Sequence, residues 1–569
     1  MSPSSACRTA LALWLGLGLP SLLPAGDELL LDSPRGPAFA AASRAWLLER
    51  DSSAPPAAWP LPRRDWRAAP ATPVLHWLDQ TRPLGTEPGP WLGVQLDSLR
   101  VALGLRLESR GWSLRQDSTG RLAESANGLD LELSWGTGGG AWLHVRDAGV
   151  SGATDWTTHP LFQDREIWRW SEIQTDGSLT HDEQRAGAVL EWPLGSGRAR
   201  LALLRDHLRW GSGLLRTTIL QGDRAPAWSQ FLFQADWGPL RYTQTVGELF
   251  SGEADSLLAR RDASGLVKLP WREKWLAAHR LDWTGRWGGL GISELLVLGD
   301  RRPGPGALLP TGLFWSEQHA AGDRDNVLLA LDGRLRLPRQ LPGAWDLHGE
   351  LCVDDYSLSD LGGAAEGQRT AWLAGLSGCP LPVTEGRAMR LGPLTLPGIS
   401  WLTAEWTQVR PYTYGHFYSV NRFDHGGQSL GATAQPNSRV LDWEWRHEAP
   451  GPRLRAGRLE LAGVWILALR GSRLEHGANP LGENVGGDRL LPHREGLDAP
   501  EAPFLAGLRE EDSWLRLGLE GAWRVEWRRR TLGSLVLGMG VATLEQRRAG
   551  VSEPKARALD WSLAWRSPL

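Results

Sequence analysis

From about Val101 onward, hydrophobic and polar residues alternate with a period of two. In Leu515–Trp527 the odd positions read Leu, Leu, Leu, Gly, Trp, Val, Trp, and the even ones Arg, Gly, Glu, Ala, Arg, Glu. Around Trp275–Trp287, Trp275, Ala277, His279, Leu281, Trp283 and Trp287 fall on one side, and Lys274, Arg280, Asp282, Thr284 and Arg286 on the other, with Leu276 and Ala278 among them. Leu441–Trp445 and Leu559–Trp565 repeat the theme. Successive side chains of a strand point to opposite faces, so each segment predicts a strand with one apolar and one polar face. A half-buried soluble sheet gives the same alternation, and three features favour a membrane wall instead. The better segments outrun the usual strand of about five or six residues. Trp clusters near the ends of the apolar faces, as a bilayer interface favours. The opposite faces are small or carry both signs of charge, which suits a wet lumen. The pattern therefore predicts an all-β chain: a large antiparallel transmembrane β-barrel of roughly 16–20 strands. A secreted Trp-rich sandwich or propeller is the alternative, and the lack of a fixed repeat counts against a propeller.

The first hundred residues are different. One Arg and an apolar run from Ala10 to Leu23 precede a small-residue exit at Pro24-Ala25-Gly26, which predicts a secretory signal peptide over 1–25. The run is short for a membrane anchor and is interrupted by Pro20. Residues 26–98 are rich in Pro and Ala, and Ala38–Arg50 and Pro73–Gln80 read as short amphipathic helices of a periplasmic plug region. Trp91–Arg106 is ambiguous between helix and strand, and the barrel is assigned to 99–569. Gly299–Gly306 and the long polar stretch Asn479–Pro503 read as loops, the latter facing outward.

Composition excludes more than it assigns. With 62 basic and 65 acidic residues, the net charge of −3 offers no field to attract nucleic acid. Cys352 and Cys379, the two cysteines of the mature chain, could pair or stay as buried thiols. Gly427-Gln428-Ser429-Leu430-Gly431 matches a nucleophile elbow in form, but Pro436 and Asn437 follow where that motif needs a helix. Asp354 and Asp355 are adjacent, so on a strand they point apart. The pairs Asp130/Glu132 and Asp442/Glu444 share a face, as a solvated lumen wall also would. No H-E-x-x-H or phosphate-binding glycine loop occurs. The expectation is no enzyme, no cofactor and no metal.

One local anomaly remains. Of five tyrosines in a chain with 33 tryptophans, Tyr412, Tyr414 and Tyr418 fall together, beside Arg410, His416, Arg422, Asp424 and His425. Aromatic faces stack on sugar rings while charged neighbours bond hydroxyls, and aromatics also mark bilayer interfaces. So many charges are expensive on a lipid face, which places this group at a rim.

Five landmarks in order resemble the Wzi-type capsule assembly family of outer-membrane barrels. Arg209-Trp210-Gly211-Ser212-Gly213-Leu214-Leu215 resembles its Trp-Gly-x-Gly stretch, and His279-Arg280-Leu281 with Glu294 resembles its HRL strand and returning Glu. Pro310–Gln318 followed by Asp325-Asn326 is similar to its proline-to-aromatic segment. Gly349-Glu350 through Asp354-Asp355 resembles its Gly-Glu-x-x-x-Asp-Asp strand. Ala404-Glu405-Trp406-Thr407, Tyr412-Thr413-Tyr414-Gly415-His416, Leu430-Gly431 and Pro436-Asn437 resemble its late signature. Gln435 stands where that pattern has Gly, and the chain ends in Leu569 rather than an aromatic. The resemblance implies about eighteen strands, an N-terminal helical plug, and a lectin-like role: anchoring or organising capsular polysaccharide or exopolysaccharide. The glycan-binding candidates are then Tyr412, Tyr414, His416, Tyr418, Arg410, Glu405, Asp354, Glu350, Arg209 and Trp210. The expected partners are surface polysaccharide, outer-membrane lipid and the barrel assembly machinery, around a monomer in the outer membrane. A solute pore is the alternative function, and a secreted carbohydrate-active enzyme the third.

Overall fold

The computed structural model describes Leu13–Trp14, Ala58–Trp59, Leu92–Leu96 and most of Leu99–Arg566. Within the last span it excepts residues 116–118, 136–138, 153–171, 174–178, 222–224, 262–266, 311, 339–342, 355–368, 381–387, 392–393, 452–453, 492–502 and 528–529. The expected signal peptide and both expected helices lie outside the described residues, apart from Leu13–Trp14, which pairs with Gly93–Val94.

Eighteen long strands make the wall. They are β1 Leu99–Arg115, β2 Thr119–Trp135, β3 Gly139–Gly152, β4 Leu179–Leu194, β5 Gly197–Asp206 and β6 Trp228–Trp237. Next come β7 Leu240–Glu248, β8 Lys274–Gly285, β9 Gly288–Gly299, β10 Asn326–Arg336, β11 Ala344–Asp354 and β12 Arg369–Cys379. The last six are β13 Ile399–Val409, β14 Ser438–Pro450, β15 Leu459–Ala478, β16 Leu508–Trp527, β17 Arg530–Arg548 and β18 Ala556–Arg566. Each pairs antiparallel with the next, and β18 pairs with β1 from Arg557↔Arg115 to Arg566↔Arg106, which closes the barrel. The ambiguous stretch before Arg106 is a strand hairpin, Leu92–Leu96 lying against Leu99–Leu103. Neither Cys352 nor Cys379 is in a disulfide. Cys352 stands opposite Ala371 and Cys379 opposite Ala344 on the same strand pair, which separates them by about 26 Å of strand.

The connections differ at the two ends. Turns such as 195–196, 238–239 and 286–287 are minimal, and β1 begins and β18 ends on that side. The opposite end carries the loops 207–227, 249–273, 300–325, 410–437 and 479–507. The surface is inside out. Leu281, Trp283, Leu290, Ile292, Leu331, Leu335 and Leu351 face outward and are exposed, while the alternating Arg280, Asp282, Ser293, Asp332 and Glu350 face inward and are buried. Trp192, Trp237, Trp283 and Trp287 lie exposed within a few residues of the short turns, as an interfacial girdle would. These features define a large antiparallel transmembrane β-barrel. Among the described residues no helix is long and apolar enough to cross a membrane.

Two loops do more than connect. The 300–325 loop folds back over the outer wall as a strap containing α1 Pro305–Leu308 and α2 Phe314–Ala320. Three outward side chains hold it: Tyr242 Oη donates to Pro310 O (2.9 Å), Gln244 Nε2 to Ala307 O (3.3 Å), and Glu294 Oε1 accepts from Trp315 N (3.0 Å). His279 pairs with Glu294 (2.9 Å) and stacks on Phe314 with ring centroids 4.4 Å apart. Polar and charged side chains facing lipid are costly, and the strap covers this pair. The 207–227 loop goes the other way, into the lumen, where its residues 209–210 pair with both Leu220–Gln221 and Ala58–Trp59.

Candidate functional site

At the loop end of the barrel three loops pack together inside the wall as a plug. Its apolar core joins Leu208, Trp210, Ile219 and Leu220 of the first loop with Tyr414, Phe423, Leu430 and Ala432 of the 410–437 loop. Inward wall residues Leu276, Leu295, Val297, Leu328, Cys352 and Val440 complete it. The expected loop Asn479–Pro503 lies within the third loop, 479–507, at the long-loop end. Its first part packs on the plug, where Tyr412 Oη donates to Asn484 O (2.6 Å) and Tyr412 N to Gly486 O (3.1 Å).

Two wall carboxylates seat the first loop by its backbone. Glu405 accepts from the N–H groups of Leu214, Leu215 (3.0 Å) and Arg216 (2.8 Å), and is paired to His348 Nε2 (3.0 Å). Glu350 accepts from Gly213 N (2.6 Å), Thr218 N (2.5 Å), Thr217 Oγ1 (2.8 Å) and Thr218 Oγ1 (2.9 Å). The glycines follow from this grip. Gly211 has φ +119°, and a Cβ there would lie 2.1 Å from Thr217 Oγ1 and 2.6 Å from Glu350 Oε1. Arg209 donates to Gly213 O (2.6 Å), and Arg216 forks onto Asp442. Burial works against the Arg216 charge, but the Asp442 carboxylate outweighs it and holds the guanidinium above its ordinary pKa.

The tyrosine segment is held as tightly. Tyr412 and Tyr414 both lie in the left-handed region, at φ 63° and 68°. Tyr414 Oη donates to Thr218 O (2.5 Å), its N–H to Asp354, and its ring lies 5.8 Å from that of Phe423. Asp424 is ion-paired to the enclosed Lys274, and Arg422 to Glu253 (3.0 Å). Asn437, at φ 56°, bridges Gly477 O (2.8 Å), Ala506 O (2.9 Å) and Leu505 N (2.6 Å).

Of the ten residues singled out from the sequence, eight are therefore enclosed: Arg209, Trp210, Glu350, Asp354, Glu405, Tyr412, Tyr414 and His416. The fold brings them together, five in the plug loops and Glu350, Asp354 and Glu405 on the wall strands that hold those loops. Arg410 is half-buried beside the Phe504 ring (6.0 Å), and Tyr418 is exposed. Sequence reasoning missed Phe417, which is also exposed, its ring 4.2 Å from that of Tyr418 and 4.4 Å from that of His416. Its place inside the tyrosine cluster was the available signal. The elbow-like Ser429 is buried in a hairpin of Asp424–His425 and Gln428–Ser429. Glu350 and Glu405 are occupied by backbone amides, which leaves neither as a ready acid or base. No group of three or more metal-ligating side chains is clustered among the described residues.

No family model matches the chain, and no curated protein does. Among solved structures it is similar to OccK7 (OpdD) of Pseudomonas aeruginosa, at 10% identity and TM-score 0.39, covering 83% of this chain and 100% of that one. It is also similar to OccAB3 of Acinetobacter baumannii, at 9% identity and TM-score 0.38, covering 82% and 99%. The barrel is established by its own strand pairings, and the capsule-family resemblance rests on the residues quoted above.

Proposed function

We propose that the protein is a non-enzymatic outer-membrane barrel that binds or organises capsular polysaccharide or exopolysaccharide at the cell surface. The plug is the observation that carries this reading. A lumen filled at its mouth by an apolar core and gripped by two many-bonded carboxylates suits work at the rim better than passage. The rim offers Phe417 and Tyr418 as adjacent exposed rings, with Arg410 on the same loop. Such faces stack on sugars, so sugar contact moves from the enclosed tyrosines to this pair. Replacing both by alanine is expected to weaken polysaccharide binding roughly tenfold and to lower surface retention. The heat-dependent electrophoretic shift of a closed barrel should persist. Unchanged binding and retention would refute the rim site.

A gated solute pore is the second reading, and the lumen wall favours it. Arg280 lies between Asp282 and Asp332 (both 2.6 Å), and Arg334 pairs with Asp346 (2.7 Å), a lining of both signs. Single-channel recording separates the two. A silent wild-type barrel fits surface binding, and steady open steps would establish passage.

A further inference from the structure

The outer wall carries a groove of about 540 Å³ beside the strap, across β4 to β8. Its valley is made by Ala186, Gly187 and Ala188, and its apolar sides by Leu203, Phe231 and Val246 with Trp275. Pairing shows that these side chains share the lipid-facing surface: Ala188 lies opposite Leu203, Leu203 opposite Phe231, and Phe231 opposite Val246. Val246 and Trp275 also pack under the strap, so the groove is walled on that side. Toward the loop end its lining turns polar. Arg205, Ser229 and Glu248 occupy the next outward positions, all exposed. Arg205 donates only to Gln184 O (3.3 Å), and neither it nor Glu248 has an ion-pair partner among the described residues. The two stand two strands apart, about 10 Å across the groove.

We propose that this groove holds a membrane phospholipid with a phosphoethanolamine headgroup. The acyl chain lies against Leu203, Phe231 and Val246; the phosphate meets Arg205 and Ser229; the ammonium meets Glu248. Charges on a lipid-facing wall are costly unless complemented, and a headgroup with adjacent phosphate and ammonium complements both at once. A purely anionic headgroup would satisfy Arg205 and be repelled by Glu248. The inference needs the barrel to span a bilayer but does not depend on polysaccharide binding.

The test is native mass spectrometry of the full chain in detergent, with phosphatidylethanolamine, phosphatidylglycerol and uncharged diacylglycerol as probes. The wild type is expected to retain phosphatidylethanolamine about tenfold better than the other two. Glu248→Gln should reduce its preference over phosphatidylglycerol, and Arg205→Ala its preference over diacylglycerol. Ala188→Trp, at an exposed outward position, should fill the valley and exclude all three while the heat-dependent shift remains. Equal retention of the three lipids by the wild type, better retention of phosphatidylglycerol, or occupancy indifferent to Ala188→Trp would each overturn the assignment. The wild-type comparison needs no variant to fold, and a failure here with a normal shift would leave the barrel intact.

Discussion

Glu405→Ala is expected to turn a closed barrel into a leaking one. The carboxylate is the single acceptor for three consecutive N–H groups of the inward loop and the partner of His348. Removing it leaves His348 only the Asp346 carboxylate, 3.6 Å away, a loss of up to about 3–5 kcal/mol, and the three amides lose their acceptor as well. The loss is expected to appear as a lower urea midpoint followed by tryptophan fluorescence. It should be accompanied by conductance steps absent from the wild type. Glu405→Gln keeps one acceptor oxygen and should fall between. Gly211→Ala attacks the same seat from the loop side, because its Cβ would collide with Thr217 and Glu350, and should reproduce both effects. A Glu405→Ala barrel that is as stable and as silent as wild type would mean that this loop does not close the lumen.

The wall was legible in the sequence because a closed barrel imposes a period of two on every strand. Leu281 and Trp283 out, Arg280 and Asp282 in, is the same statement read from the sequence and from the structure. The site was half legible. Tyr412, Tyr414, Glu350, Glu405 and Arg209 were singled out together, and they do meet, across more than 190 residues of chain between Leu214 and Glu405. What could not be read was the direction of the loops. A glycine-rich turn carries no sign of whether it folds into a lumen or away from it, and the answer lies in long-range partners such as Glu350 with Gly213. The same holds for His279 and Glu294. The place of His279 on the apolar side was visible, but not the strap that shields the pair, since of the 300–325 loop only the turn chemistry of Gly299–Gly306 could be read.

Asp424→Asn is the second change with a large expected effect, again about 3–5 kcal/mol. Lys274 is one of three lysines in the chain, and its ammonium is fully enclosed at the inner wall against Asp424. Arg422 and Arg489 add positive charge around the same carboxylate, while Glu253 balances Arg422 (3.0 Å) and Arg272 (3.1 Å). Neutralising Asp424 therefore strands a buried ammonium among cations. Replacing both partners, Lys274→Met with Asp424→Leu, should cost much less, and a double-mutant cycle measures the difference. The pH dependence has a definite sign. Burial pushes the Asp424 carboxyl upward, but Lys274 and Arg422 outweigh it and hold its pKa below the ordinary aspartate value. A depressed folded pKa gives stability that is complete above the unfolded value, about 3.9, and is lost as pH falls through the lower folded value. The wild-type plug should thus stay latched down to about pH 4 and loosen only in stronger acid, whereas Asp424→Asn should lack that acid step. Wild-type conductance that rises already between about pH 6 and 5 would show that a carboxylate with a higher pKa, and not Asp424, sets the latch.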